Sequence, residues 1–135
     1  MKILLDTNVV LDLLLDRKPY SEEAREIFRR IERGIHIGYL APTTVTTIHY
    51  LSAESLGRTR ADEIVGMLLR LFEISRMDRE VLREAAANNG TDFEDSVIYT
   101  SAWASGVDRI VTRDIRGFAR SKVEVTGPRE FLATE

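Results

Sequence analysis

The chain of 135 residues contains no cysteine. Disulfides, zinc–thiolate sites and thiol nucleophiles are thereby excluded, and any chemistry must be carried by oxygen and nitrogen groups. Lysine is scarce as well: of nineteen basic residues, three are lysine and sixteen arginine. Arginine is the better bidentate phosphate ligand, although genome composition or a hot habitat explains such a ratio at least as well. A net charge of −3 argues against a protein that coats nucleic acid indiscriminately. The two histidines lie far apart and suggest no proton relay. No apolar run approaches a bilayer span, and only Lys2 precedes the first one, so neither a membrane helix nor a signal peptide is expected. A reducing cytoplasm is the expected compartment.

What is present is 44% apolar and 30% charged content over a length that suits one compact domain, expected to span residues 1–135. Apolar runs of strand length alternate with helical periodicity, the pattern of a parallel α/β sheet. Strand one is Ile3 to Leu5, apolar on both faces as a central parallel strand should be. A short helix from about Val9 to Leu15 follows. Ser21 is then a good N-cap for a helix that carries Ala24, Ile27, Phe28 and Ile31 at helical spacing and closes at Gly34.

"IHIGYLAP" reads as strand two, and "TTVTTIHYLSAESLG" as a helix despite its β-branched residues, because it is too long for a strand and is stopped by Gly57. Thr59 is expected to cap a helix over Arg60 to Leu71, "FEIS" is a third strand, and Asp78 caps a helix ending in "AAANNG". In "TDFEDSVIYTSAWASG", Thr91 with Glu94 three residues on forms a capping-box signature, and Gly106 is the stop. "DRIVT" is strand four, "VEV" strand five, and Pro128 opens a last helical turn.

This order locates the acids. Asp6 follows strand one, Asp114 follows strand four, and Asp95 lies in the first turn of the helix leading into strand four. In an open parallel sheet, ligands bind outside the carboxyl ends of the strands where the strand order reverses, and strands one and four would meet there. Three carboxylates converging on one spot repel one another unless a cation neutralises them, and hard oxygen donors suit Mg²⁺ or Mn²⁺. Each acid also has a plainer use: Asp6 as a helix cap, Asp95 as a favourable charge at a helix start, Asp114 as a turn residue. Asp92, one turn before Asp95, either joins the site or complements the helix dipole, and Glu94 is read as a capping partner rather than a ligand. Met67, Met77 and Trp103 are expected in the core. Arg109, Arg113, Arg116, Arg120 and Lys122 crowd around Asp114, a basic margin to an acidic centre or simply a solvated face.

"LLDTNVVLDLLLDR", "DFEDSVIYTSAWASGVDRIVTRDIRGF" and the terminal "PREFL" together resemble a PIN domain, of a branch with a D-F-E-D motif. The resemblance spans nearly the whole chain and implies a three-layer α/β/α fold with a parallel five-stranded sheet. It also implies a Mg²⁺- or Mn²⁺-dependent ribonuclease akin to VapC toxins, with RNA as substrate, an antitoxin as partner and a homodimer as the expected assembly. By this resemblance Asp6, Asp95 and Asp114 are the catalytic, metal-holding residues, joined by Asp92, while Asn8 and Thr112 hold the acidic loops. Where many members carry a glutamate on the helix after strand two, this chain has His49, a departure that bears on the strength of the metal site. Arg113 and Arg116 are the expected grips on the RNA backbone.

Two rival readings share parts of this pattern. A phosphorylated receiver domain would want an acidic pair after strand one and a lysine after the last strand, whereas Thr7 and Asn8 follow Asp6 and no lysine follows "VEV". A non-catalytic PIN-like module that binds RNA or protein would keep the fold and accommodate His49.

Overall fold

The structure, a computed structural model, describes residues 1–88 and 91–135. Five parallel strands form one sheet: β1 (Lys2–Leu5), β2 (Ile37–Leu40), β3 (Glu73–Ile74), β4 (Arg109–Val111) and β5 (Glu124–Thr126), in the order β3-β2-β1-β4-β5. The helices are α1 (Thr7–Leu14), α2 (Ser21–Glu32), α3 (Pro42–Leu56), α4 (Arg58–Leu71), α5 (Arg79–Ala86), α6 (Phe93–Ala104) and α7 (Pro128–Thr134), with a 3₁₀ turn at Arg116–Phe118.

The central strand explains the layering. Successive strand residues point to opposite faces, so Ile3 and Leu5 enter a core shared with α1, α2, Ile48, Leu68 and Phe131, whereas Leu4 enters another with Ile98, Ala102, Ile110 and Phe118. Both faces are covered, which is why β1 has no polar position between Ile3 and Leu5. Strand order reverses at β1, where Leu5 lies in register with Val111. The residue after β1 is Asp6, whose amide donates to the Val111 carbonyl at 3.0 Å. The crevice at the switch point therefore opens at the acid.

Several helix starts differ from the expectation. Tyr20 is already helical, and the amides of Tyr20 and Ser21 both donate to the Arg17 carbonyl, so the preceding turn runs straight into α2. Ser21 is thus inside the helix, its buried hydroxyl without a partner, and caps nothing. Gly57, at φ +90°, swings the chain from α3 directly into α4, which begins at Arg58, so Thr59 lies within the first turn. Asp92 caps α6 by accepting from the Asp95 amide at 3.2 Å. The expected Thr91 cap is corrected accordingly: its hydroxyl instead accepts from Tyr99 at 3.4 Å. Asp78 caps α5 as expected. The end of the "AAANNG" segment, Asn89 and Gly90, lies outside the described residues. Met67 and Met77 pack against the two cores, but Trp103 is 52% exposed and belongs to neither.

Candidate metal centre

The cleft at the switch point has a volume of about 390 Å³ and is lined by Asp6, Asp92, Glu94, Asp95 and Asp114, with Thr7, Asn8, Arg17 and Leu51 among the other walls. Asp6 is both helix cap and site residue. Its Oδ1 accepts from the Thr7 amide at 2.8 Å, which starts α1, while its Oδ2 accepts from the Thr112 hydroxyl at 2.7 Å and from Asn8 Nδ2 at 3.3 Å. The Thr112 hydroxyl in turn accepts from the Asp114 amide at 3.0 Å. Asn8 completes the tie: its amide nitrogen also reaches Thr112 Oγ1 at 3.3 Å, and its oxygen accepts from the Arg113 amide at 3.4 Å. Four residues thus lock the loop after β1 to the loop after β4.

Asp95 enters from the first turn of α6, opposite these loops. A Cβ on Gly117 would lie 2.5 Å from Asp114 Oδ2 and 2.7 Å from Asp95 Oδ2, so the two oxygens converge on a point that a side chain would fill. The crowding has an electrostatic signature. Burial, then the charges of Asp6, Asp92, Asp114 and Glu94, push the Asp95 carboxyl up to about 6. Burial also raises Asp6, partly offset by its Thr112 and Thr7 donors, with Asp114 and Glu94 adding repulsion. Among the described residues no three acidic side chains close into a complete ligand shell. Asp6 turns both oxygens to protein donors.

The donor set fits a hard divalent cation. It consists wholly of carboxylate oxygens, it is partly desolvated, and its mutual repulsion is the energy a cation would relieve.

His49 and Arg113 do not line the cleft. His49 faces away, its Nε2 within 2.7 Å of Asp62 on α4, because the α3–α4 pairing turns that side of α3 toward its partner helix. Arg113 is bound to buried Asp12 through Nε at 2.7 Å and through its second nitrogen at 3.1 Å, with the guanidinium 3.9 Å from the Tyr20 ring centroid. Its charge is spent within the protein. Arg116 is exposed and has no salt bridge among the described residues.

The sequence reading missed other contributors. Glu94 lines the cleft instead of serving a capping box, since Asp92 takes the cap. The D-F-E-D spacing, with acids on three of four successive positions at a helix start, held that signal. Arg17, a cation on the cleft wall, had none, because it depends on how the α1–α2 loop folds back.

Comparisons with known proteins bear on the family and the fold. A family model for the PIN domain matches residues 2–116. Among solved structures, the chain is similar to VapBC from Salmonella typhimurium bound to DNA, with a TM-score of 0.71 and 21% identity, covering 95% of this chain and 98% of that one. It is likewise similar to a toxin–antitoxin complex from Klebsiella pneumoniae, with a TM-score of 0.71 and 20% identity over 93% of this chain and 97% of that one. The protein PAE2754 from Pyrobaculum aerophilum matches with a TM-score of 0.63 and 19% identity, over 99% and 88% of the two chains. No curated protein matches.

Proposed function

Because this chain belongs to the PIN-domain family, we propose that it is a metal-dependent endoribonuclease, acting as the toxin of a toxin–antitoxin pair. The observation that carries the proposal is the convergence of Asp95 and Asp114 on Gly117, with Asp6 held beside them by Thr112. Asp6, Asp95 and Asp114 would hold Mg²⁺ or Mn²⁺, with Asp92 and Glu94 at the margin. A divalent cation bound there supplies Lewis acidity to phosphodiester hydrolysis.

The chain's own residues do the rest. Thr112 and Asn8 keep Asp6 oriented, so little reorganisation is needed when the acids gather. Arg116, exposed and next to Gly117, would take a backbone phosphate. The antitoxin partner draws support from the VapBC and toxin–antitoxin complexes among the structural neighbours. Among the described residues no helix is long and apolar enough to cross a membrane.

One observation favours a second reading, a PIN-like module that binds without cutting: α3 contributes no acid to the cleft, since His49 pairs with Asp62 instead. Incubation of labelled single-stranded RNA with the protein and Mg²⁺ or Mn²⁺ separates the two. The nuclease cleaves, is silenced by EDTA, and loses about a hundredfold in Asp95→Asn. RNA that binds but stays intact with either metal would establish the binding module.

A further inference from the structure

A second recess, of about 100 Å³, lies toward the opposite end of α6 from the acidic cleft. Tyr99 and Trp103 of α6, Glu84 and Asn88 at the end of α5, and Arg120 and Lys122 before β5 form its walls. It shares no lining residue with the cleft. Trp103, the chain's single tryptophan, is half exposed here. Lys122 Nζ lies 5.7 Å from its ring centroid and 3.5 Å from a Glu84 oxygen. Arg120 is exposed and makes no salt bridge among the described residues.

We propose that this recess is a nucleobase subsite for single-stranded RNA, in which a base stacks on Trp103 while Arg120 and Lys122 take the adjoining phosphate. An aromatic platform flanked by cations is what a single strand requires, because every base has a stacking face and every link a negative charge. Glu84 and Asn88 add hydrogen-bonding groups at the base edge. A carboxylate there favours bases with an exocyclic amino group. Lys122 and Glu84 argue for RNA over a protein partner, since lysine and glutamate are depleted at protein interfaces.

The recess is also placed to serve the cleft. Asp95 and Trp103 are eight residues apart on one helix, an axial distance of about 12 Å, or three to four stacked nucleotides at roughly 3.4 Å each. Between them, the Tyr99 ring packs on Phe118 with centroids 6.0 Å apart, and Phe118 follows Gly117, where Asp95 and Asp114 converge. This buried contact ties a wall of the recess to the turn that follows the acids. The choice of ligand rests on the ribonuclease assignment, and the recess would make that enzyme read a base a few nucleotides from the cut.

With one tryptophan, fluorescence reports on this site alone. The test titrates the Asp95→Asn protein with a ten-nucleotide single-stranded RNA of mixed sequence, and with an abasic chain of equal length, while cleavage is assayed separately in the unaltered protein. Saturable quenching by the RNA, weak quenching by the abasic chain, and a loss of about five- to a hundredfold in RNA affinity in Trp103→Ala, largely restored in Trp103→Phe, are expected. Arg120→Ala should lower affinity for RNA and abasic chain alike. Cleavage without quenching would overturn the subsite and leave the nuclease standing. Quenching without cleavage would support the subsite and remove the nuclease. Neither quenching nor binding overturns the subsite, as does a fluorescence change that follows protein concentration alone, which would mark Trp103 as a contact between copies.

Discussion

Thr112 donates its hydroxyl hydrogen to Asp6 Oδ2 across 2.7 Å, joining residues 106 positions apart, and accepts from the Asp114 amide with the same oxygen. One buried hydroxyl therefore sets the spacing of the two acidic loops. Thr112→Val keeps the shape but leaves a buried carboxylate oxygen short of a donor, and should cost about 2 kcal/mol in urea denaturation. Cleavage should fall with it, and Thr112→Ser should recover most of both. Loss of activity without loss of stability would show that the hydroxyl acts on substrate instead.

Asp95 makes the metal-free protein sensitive to pH. Its carboxyl is raised from 3.8 to about 6 by burial and then by the charges of Asp6, Asp92, Asp114 and Glu94, so between those pH values the folded state binds more protons than the unfolded one. Stability must then fall as pH rises from about 4 to 6. The group is only half buried, so solvent screening holds its contribution to about 1 kcal/mol. Thermal melts in EDTA should show a shallower decline over that range in Asp95→Asn. Added Mn²⁺ should stabilise the unaltered protein most above pH 6, where Asp95 is ionised.

Arg113 should behave as a structural residue. Removing it leaves Asp12, 1% exposed, with only Arg17 at 3.9 Å among the described residues, so Arg113→Ala should cost about 3 kcal/mol. The salt dependence of RNA binding should not change. In Arg116→Ala the pattern should reverse: stability within about 0.5 kcal/mol and a log–log salt slope smaller by about 0.7. Equal slopes in the two variants would return Arg113 to the RNA interface.

His49→Glu should not lower the metal concentration needed for cleavage, because His49 sits against Asp62 outside the cleft. Two exposed acids would then face each other, at a cost near 0.5 kcal/mol. Glu94→Gln should raise the metal requirement about tenfold, since Glu94 lines the cleft. A lower requirement in His49→Glu would mean that α3 turns on metal binding.

Much of the fold could be read from the chain, and some local details could not. Asp78 was legible as a cap because its own side chain reaches an amide three residues away. Ser21 was misread because its role depends on a turn arriving from Arg17, and Trp103 because an apolar residue on a helix carries no mark of whether anything covers it. The acids after β1 and β4 were legible through parallel topology, which places strand ends together at the switch point.

Sequence alone therefore determined which segments become strands and helices and which acids stand at strand ends, since these follow from short-range periodicity and chain-stopping glycines and prolines. Tertiary structure decided what each charged side chain meets. Helix phase turns by about 100° per residue, so small differences in how α1, α3 and α6 pack gave Arg113 to Asp12, His49 to Asp62 and Glu94 to the cleft. Partners up to 106 residues away are chosen by the folded geometry, and no local pattern encodes them.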